Sequence, residues 1–515
     1  MKWLLALAAL LLASAAAAGA RAAAPDVRRF ALVIGNNRPE AASGETLRYA
    51  DDDAVATHLL LAEAGVQSFL FATLDAETRA LHPSVALAGA ASWPEIQRGF
   101  ATLAQRMNEA RAKGLRTELF IFYSGHGDVD GGEGYVVLAG QRLTRTRLFA
   151  LLSQSPATYN HVFVDACKSY FLVFDRGPGG RRAPYAGNWV EGAPASLGNT
   201  GFVLSTSSDR ESHEWERYQG GILSHELRSG LRGAADADGD GSISYAELGA
   251  FLATANRAIP NPRFKPDFTV RAPGQDLERK ILSYPADRAA LHFAPQSWGH
   301  LYIENARGVR ILDAHPAADR ELRLFVPDER PLFVRQDDEH AEYVVEQSGS
   351  VAIPALSRTT PEYAQRGALS LAFRWMFSVP FDPSDVQQFR AETAAERSAP
   401  RADDSAHRRS STRRTVARVA GVIALGTGAA GVTLSALSLG TSLSNPNESQ
   451  RALAAHNHRV HELNVASVAC YGTALAAGLV WAWAQWWPES NVTITGQSAE
   501  SSGPGTFGLG VAGHF

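Results

Sequence analysis

The sequence predicts an α/β domain with a mostly parallel sheet and flanking helices, then a small antiparallel β domain, then a C-terminal helical hairpin of membrane-spanning length. Three observations lead there. Short β-rich apolar runs alternate with helical patterns from Arg29 to Leu282. From Tyr284 to Leu356 short strands and turns follow one another with no helix-length periodicity. Two uncharged stretches, 419–447 and 463–488, are each long enough to exceed the ~20 residues that a bilayer span needs. A chain of 515 residues has room for all three parts. Its 49 basic and 53 acidic residues, for a net charge of −4, argue against a general nucleic-acid binder.

Taken in chain order, Lys2 followed by the apolar run Trp3 to Leu12 and a stretch of small residues reads as a secretory signal over 1–24, with cleavage after Ala20 or Ala24. The expected destination is the cell envelope, on its periplasmic face. The domain over 25–283 then offers strands at Phe30 to Ile34, Ser68 to Leu74, Glu118 to Tyr123, His161 to Asp165 and Gly201 to Ser205, with helices at Ala50 to Ala64 and Trp93 to Lys113. A β domain over 284–356 and a linker region over 357–418 follow; residues Glu392 to Arg414 have little apolar content. The two spans, 419–447 and 463–488, are the expected membrane contact. The first is rich in Gly, Ala, Ser and Thr, which suits close helix packing, and the second ends in Trp481, Trp483, Trp486 and Trp487, which suits an interfacial belt. A tail, 489–515, completes the chain.

Parallel sheets bind ligands beyond the carboxyl ends of their strands, so those positions carry the search for chemistry. The third strand breaks into Ser124, Gly125, His126 and Gly127, and the fourth ends in Asp165, Ala166 and Cys167. Neighbouring parallel strands ending this way place an imidazole and a thiol at one sheet edge. A thiol of pKa ~8.5 needs such a base to become a nucleophile. Gly127, lacking a side chain, lets its N–H approach an oxyanion beside the N–H of Cys167. With only one other cysteine, Cys470, a disulfide framework is excluded.

A second pattern is the twelve-residue run from Asp236 to Glu247. Its carboxylates at positions 1, 3 and 5 (Asp236, Asp238, Asp240), Gly241 at 6, Ser242 at 7 and Glu247 at 12 match a calcium-binding EF-hand loop. Helical patterns flank it, at His225 to Arg232 and Tyr245 to Asn256. Calcium is therefore the expected cofactor, and no organic cofactor is expected.

The string Tyr123 to Gly127, followed 41 residues after the histidine by the cysteine of Asp165, Ala166, Cys167, resembles the caspase-like cysteine peptidases, in particular their bacterial metacaspase-like branch. Gly35, Asn36 and Asn37 after the first strand, and Leu47 to Ala54 with its three aspartates, are similar to the same family. One departure stands out: Lys168, Ser169 and Tyr170 follow the cysteine, where the metacaspase pattern usually has His, Ser, Gly. The resemblance implies a caspase-like fold and peptide-bond hydrolysis through an acyl-enzyme, with Cys167 as nucleophile and His126 as general acid and base. It also implies a peptide or protein substrate cleaved after Arg or Lys, which Asp165 and Asp53 would select. Self-cleavage would fall after Arg176, Arg181 or Arg182, in the Gly- and Pro-rich connection behind the cysteine. Two rival readings use the same residues: an inactive caspase-like scaffold, and a calcium-binding envelope protein whose membrane part carries the function.

Overall fold

The computed structural model describes residues 26–41, 44–131, 133–167, 169–172, 197–205, 214–260, 265–337, 340–360, 375–398, 404–442 and 450–486. The expected signal segment, the residues Arg176, Arg181 and Arg182 and the tail lie outside them. The chain divides into two compact units, Met1–Pro400 and Arg401–Phe515.

In the first unit the chain runs β1 (Val27–Asn36), α1 (Ala50–Glu63), β2 (Gln67–Ala72), α2 (Trp93–Ala112), β3 (Arg116–Gly125), a three-stranded insert β4 (Gly127–Asp130), β5 (Glu133–Leu138) and β6 (Gln141–Thr144), then α3 (Arg145–Ser153), β7 (Tyr159–Asp165) and β8 (Thr200–Ser205). After them come α4 (Ile222–Ser229), β9 (Ser242–Ser244), α5 (Tyr245–Ala255), β10 (Phe268–Arg271) and β11 (Lys280–Ser283). The main sheet has the order β10-β8-β7-β3-β1-β2. Five strands are parallel and only the edge strand β10 is antiparallel.

The strands read as continuous apolar runs because both faces of the sheet are covered. Ala31 and Val33 of β1, Phe120 and Phe122 of β3, Phe163 of β7 and Val203 of β8 enter one core with α1, α4 and α5. Their alternate neighbours, Phe30, Leu32 and Ile34, Leu119 and Ile121, Val162 and Val164, enter a second core with α2 and α3. In α2 the buried residues Ile96, Phe100, Leu103 and Met107 recur at helical spacing, and Pro94 sits in the first turn, where no hydrogen bond is lost. At the start of α1, Asn37 Oδ1 accepts the N–H groups of Ala50 and Asp51, so the cap comes from the loop after β1 rather than from the adjacent Tyr49.

The β region comprises β12 (Leu291–Phe293), β13 (Leu301–Asn305), β14 (Arg310–Ala314), β15 (Leu322–Leu324), β16 (Leu332–Gln336), β17 (Ala341–Val345), β18 (Val351–Ala352) and β19 (Arg358–Thr359). They form a five-stranded sheet, β14-β13-β16-β17-β19, and a three-stranded one, β15-β12-β18. It is no detached module. Leu291, Phe293, Leu301, Ile303, Leu312 and Val334 belong to the same continuous core as α4 and α5. Within the region read as linker, 357–418, Pro383–Ser398 forms a helix, α6. Val386 is buried and the Phe389 ring lies where a side chain on Gly249 of α5 would sit. Val386 and Phe389 both precede Glu392, where the low apolar content begins.

The second unit holds α7 (Asp404–Ser442) and α8 (Gln450–Trp486). Within them Ala420–Leu439 and Asn457–Ala482 are long and apolar enough to cross a membrane. The two helices meet along small residues: a side chain on Gly431 would strike the Tyr471 ring and one on Gly421 would press on Trp481. Ser438 Oγ donates to Asn464 Oδ1 at 2.6 Å across the same seam. Away from it Val422, Leu425, Leu439, Val468 and Leu475 are exposed, the arrangement that lipid rather than water would favour.

Candidate active site

Strand register brings the two chemistry-bearing tips together. Ser124 of β3 pairs with Asp165 of β7, so His126 and Cys167 each lie two residues beyond the same rung of the parallel ladder. Gly127 lies against that second tip: a Cβ there would stand 2.5 Å from the Cys167 carbonyl oxygen and 3.0 Å from Ala166 Cβ. Glycine is thus required by close approach. The β4–β5 ladder also frees its N–H. Val137 N–H donates to His126 O at 2.9 Å, which makes 126/137 a hydrogen-bonded pair and 127/136 the alternate pair whose N–H points away from β5. Tyr123 Oη donates to Val137 O at 2.7 Å and to His126 O at 3.0 Å, tying the histidine loop to the insert.

Cys167 is half-buried and outside any disulfide. Burial holds the His126 imidazole below its usual pKa, against the opposing influence of the Asn37 and Glu45 backbone, so the ring is neutral at pH 7. Its Nε2 is buried and has no hydrogen-bond partner among the described residues. A neutral imidazole with an uncommitted nitrogen is what a proton acceptor needs.

Asp53 and Asp165 also converge, although 112 residues separate them in sequence. A Cβ on Gly221 would lie 2.4 Å from Asp165 Oδ2 and 3.0 Å from Asp53 Oδ2, so the carboxylates flank one glycine. Asp53 Oδ2 accepts Gly221 N–H at 2.8 Å and Ser124 Oγ–H at 3.1 Å, while its Oδ1 pairs with Arg228 Nη1 at 2.9 Å. Asp165 Oδ2 accepts both the N–H and the hydroxyl of Ser224, at 2.9 and 2.7 Å. Burial pushes the Asp53 carboxyl up to about 6, with Arg228 pulling down and Asp165 pushing up. Burial likewise raises Asp165, against its two Ser224 bonds. The neighbouring aspartates have different roles. Asp51 joins Asn37 and the Asp75 N–H, and Asp52 faces a separate cavity of about 340 Å³ that Arg228 also lines.

The space beside Asp165, bounded by Ser205, Ile222, Leu223, Pro266, Asp267 and Phe268, is only about 10 Å³, room for a single water. That volume does not hold an Arg or Lys side chain. Ser224 and Arg228 were not singled out from the sequence. Neither stands out in α4, where His225, Glu226 and Ser229 are polar as well and only Ile222, Leu223 and Leu227 are apolar.

The EF-hand-like run forms a loop between two helical segments, with Gly239 and Gly241 at positive φ of 76° and 77°. Asp236, Asp238 and Asp240 bring their carboxylates within 4.8 Å of one another, a cluster that could chelate a metal ion. This oxygen-only donor set suits a hard cation. Ser242 opens β9, which pairs with β11 of the same domain. Glu247 is shared between cap and loop: its Oε2 accepts Ser244 N–H and Oγ–H at 2.8 and 2.7 Å, capping α5, and its Oε1 accepts Ala237 N–H at 3.2 Å within the loop. Lys280 Nζ lies 2.8 Å from Asp240 and 3.7 Å from Glu247. For Glu247 to bind an ion through both oxygens it must release these bonds, and for Asp240 to join, Lys280 must swing away.

Residues 28–266 match the family model of the caspase domain, peptidase family C14. No curated protein matches the chain. Among solved structures, caspase-1 from Spodoptera frugiperda is 13% identical over 48% of this chain and 89% of its own, with a TM-score of 0.31. The Drosophila initiator caspase Dronc is 11% identical over 49% and 81%, with a TM-score of 0.29. The match is to the caspase domain as a whole and does not single out the metacaspase branch. Through residues 28–266, the chain is a distant relative of the caspase superfamily of cysteine peptidases.

Proposed function

We propose that the protein is a cysteine endopeptidase that cleaves after Arg or Lys. One observation carries this reading: His126 and Cys167 stand at equal distance beyond a paired rung of β3 and β7, with Gly127 packed against the cysteine carbonyl. Cys167 Sγ attacks the scissile carbonyl carbon as its proton passes to His126 Nε2. The oxyanion that forms takes hydrogen bonds from the N–H groups of Gly127 and Cys167. His126 then gives the proton to the leaving amine, and water hydrolyses the thioester with the same ring as base. Asp165 and Asp53 receive the basic side chain; a carboxylate facing a guanidinium makes charge-assisted, two-point contact. The α7–α8 hairpin anchors the enzyme to a membrane, with the first unit exported to the periplasmic face. Self-cleavage after Arg176, Arg181 or Arg182 belongs to the same reading, and intact-mass comparison with Cys167→Ala tests it. Cleavage of a peptide library by the purified full chain, with and without calcium, tests the whole. Products ending in Arg or Lys support it, and no cleavage favours the scaffold reading, which the closed space beside Asp165 speaks for.

Calcium, in this reading, is held by Asp236, Asp238, Asp240, Glu247 and the Ser242 carbonyl, and steadies the domain. A ligand present at 100 times its dissociation constant adds about 2.7 kcal/mol to stability. The melting temperature therefore rises in millimolar calcium, and Asp238→Asn with Asp240→Asn removes the rise. An unchanged melting temperature for the wild-type chain reduces the loop to a surface turn.

A further inference from the structure

Helix α4 is held from two sides at once. Ser224 and Arg228, one turn apart, grip Asp165 and Asp53. His225 and Ser229, also one turn apart and rotated by about 100° from the first pair, meet β14. There Asp313 Oδ2 accepts His225 Nε2–H at 2.7 Å, and the Asp313 N–H donates to Ser229 Oγ at 3.0 Å. The carboxylate is completed from its own region: His300 Nε2 donates to Oδ1 at 2.6 Å, Arg310 Nε to Oδ2 at 2.6 Å, and Arg310 Nη2 to Oδ1. Asp313 and His225 are both fully buried. Tyr218 stacks on the His225 ring, 3.8 Å between centroids, and Arg310 lies over the Tyr302 ring at 3.8 Å, so the donors are themselves fixed.

A buried carboxylate is unfavourable unless its lone pairs are filled. Here they are filled by groups from α4, β14 and His300 just before β13, and α4 carries Ser224 and Arg228, which hold the acidic pair together with the Ser124 hydroxyl and the Gly221 N–H. We propose that Asp313 is a positioning residue for the basic-side-chain pocket: through His225 and Ser229 it sets the rotation and axial register of α4, and so where Ser224 and Arg228 hold Asp165 and Asp53. The β region is then part of substrate recognition. This inference rests on reading the acidic pair as the recognition site, and it touches neither Cys167 nor His126. Displacement by about 1 Å is enough to cost about 10²-fold where a site depends on alignment.

The test uses the full chain carrying Asp313→Asn. A second variant, His225→Leu, leaves Arg310 and His300 on Asp313 and decides the matter if the first does not fold. Hydrogen exchange reads the pocket without any need for turnover, since Gly221 and Ser224 donate their amides to Asp53 and Asp165. The expected result is exchange at least about tenfold faster over 220–224, with the β3 core unchanged. KM for an Arg-containing peptide rises about tenfold or more, while kcat and alkylation of Cys167 by iodoacetamide stay within about threefold. His225→Gln, whose amide still donates, restores most of the wild-type behaviour. Wild-type exchange over 220–224 in the folded variants overturns the proposal, as does uniform acceleration across the domain, which marks a merely structural role. Failure of the peptidase reading shows separately, as a wild-type chain that cleaves no Arg peptide, and the exchange result still decides whether Asp313 positions the acidic pair.

Discussion

Cys167→Ala and His126→Ala each lower peptide hydrolysis by at least about 10⁴-fold, because the first removes the nucleophile and the second the group that moves its proton; residues acting as one unit lose nearly everything singly. The double variant is scarcely worse than either alone. Rates of the purified chain on an Arg peptide check this. Survival of near wild-type cleavage in Cys167→Ala assigns the activity to something else. The pH profile carries a second signature. Burial holds His126 below its usual 6.5, and the ring must be neutral to accept a proton. Activity is therefore retained as pH falls through 6.5, and the acid limb of kcat/KM lies below that value.

Asp165→Asn reduces kcat/KM for Arg and Lys peptides by about 10²-fold and leaves the peptide with a neutral side chain at that position little changed. Losing one partner of a buried, hydrogen-bonded charge pair costs about 2–5 kcal/mol, equivalent to roughly 30-fold or more. The amide keeps an oxygen for the Ser224 contacts, so the melting temperature moves little. A large fall in stability with unchanged selectivity would assign Asp165 to the turn after β7 instead. Asp53 adds a pH dependence of its own. Its carboxyl, at about 6, is charged at pH 7 and becomes neutral as pH falls below that value. KM for basic peptides consequently rises on acidification, even where His126 remains neutral.

How much of this was legible depended on the kind of signal. The core strands were, because a strand buried on both faces is apolar at every position, as Phe30 to Ile34 and Leu119 to Tyr123 show. The insert β4 to β6 was not, since its strands are short and begin at the glycine already read as part of a motif. His126, Cys167 and Asp165 could be placed beside one another because motif positions translate into the ends of neighbouring strands, whereas Asp53 lies in the first turn of α1. Arg228 and Ser224 could not, since nothing in α4 says which of its polar residues face inward; that depends on Asp313, 85 residues beyond Arg228. The linker reading of 357–418 shows the opposite failure. That reading rests on the low apolar content of Glu392 to Arg414, whereas Val386 and Phe389, which seat the helix, precede that stretch. In the calcium loop the sequence pattern was complete; the capping bonds between Ser244 and Glu247 are local, three residues apart, whereas the approach of Lys280 from β11 depends on tertiary contact.

The most direct measurement is covalent labelling of the full chain, in calcium, by a peptidyl acyloxymethyl ketone with Arg at the recognition position, read by peptide mass spectrometry. The account predicts one modification, on Cys167, abolished by His126→Ala and strongly slowed by Asp165→Asn. An unlabelled Cys167 in folded, calcium-loaded protein, or labelling that ignores both substitutions, would contradict it.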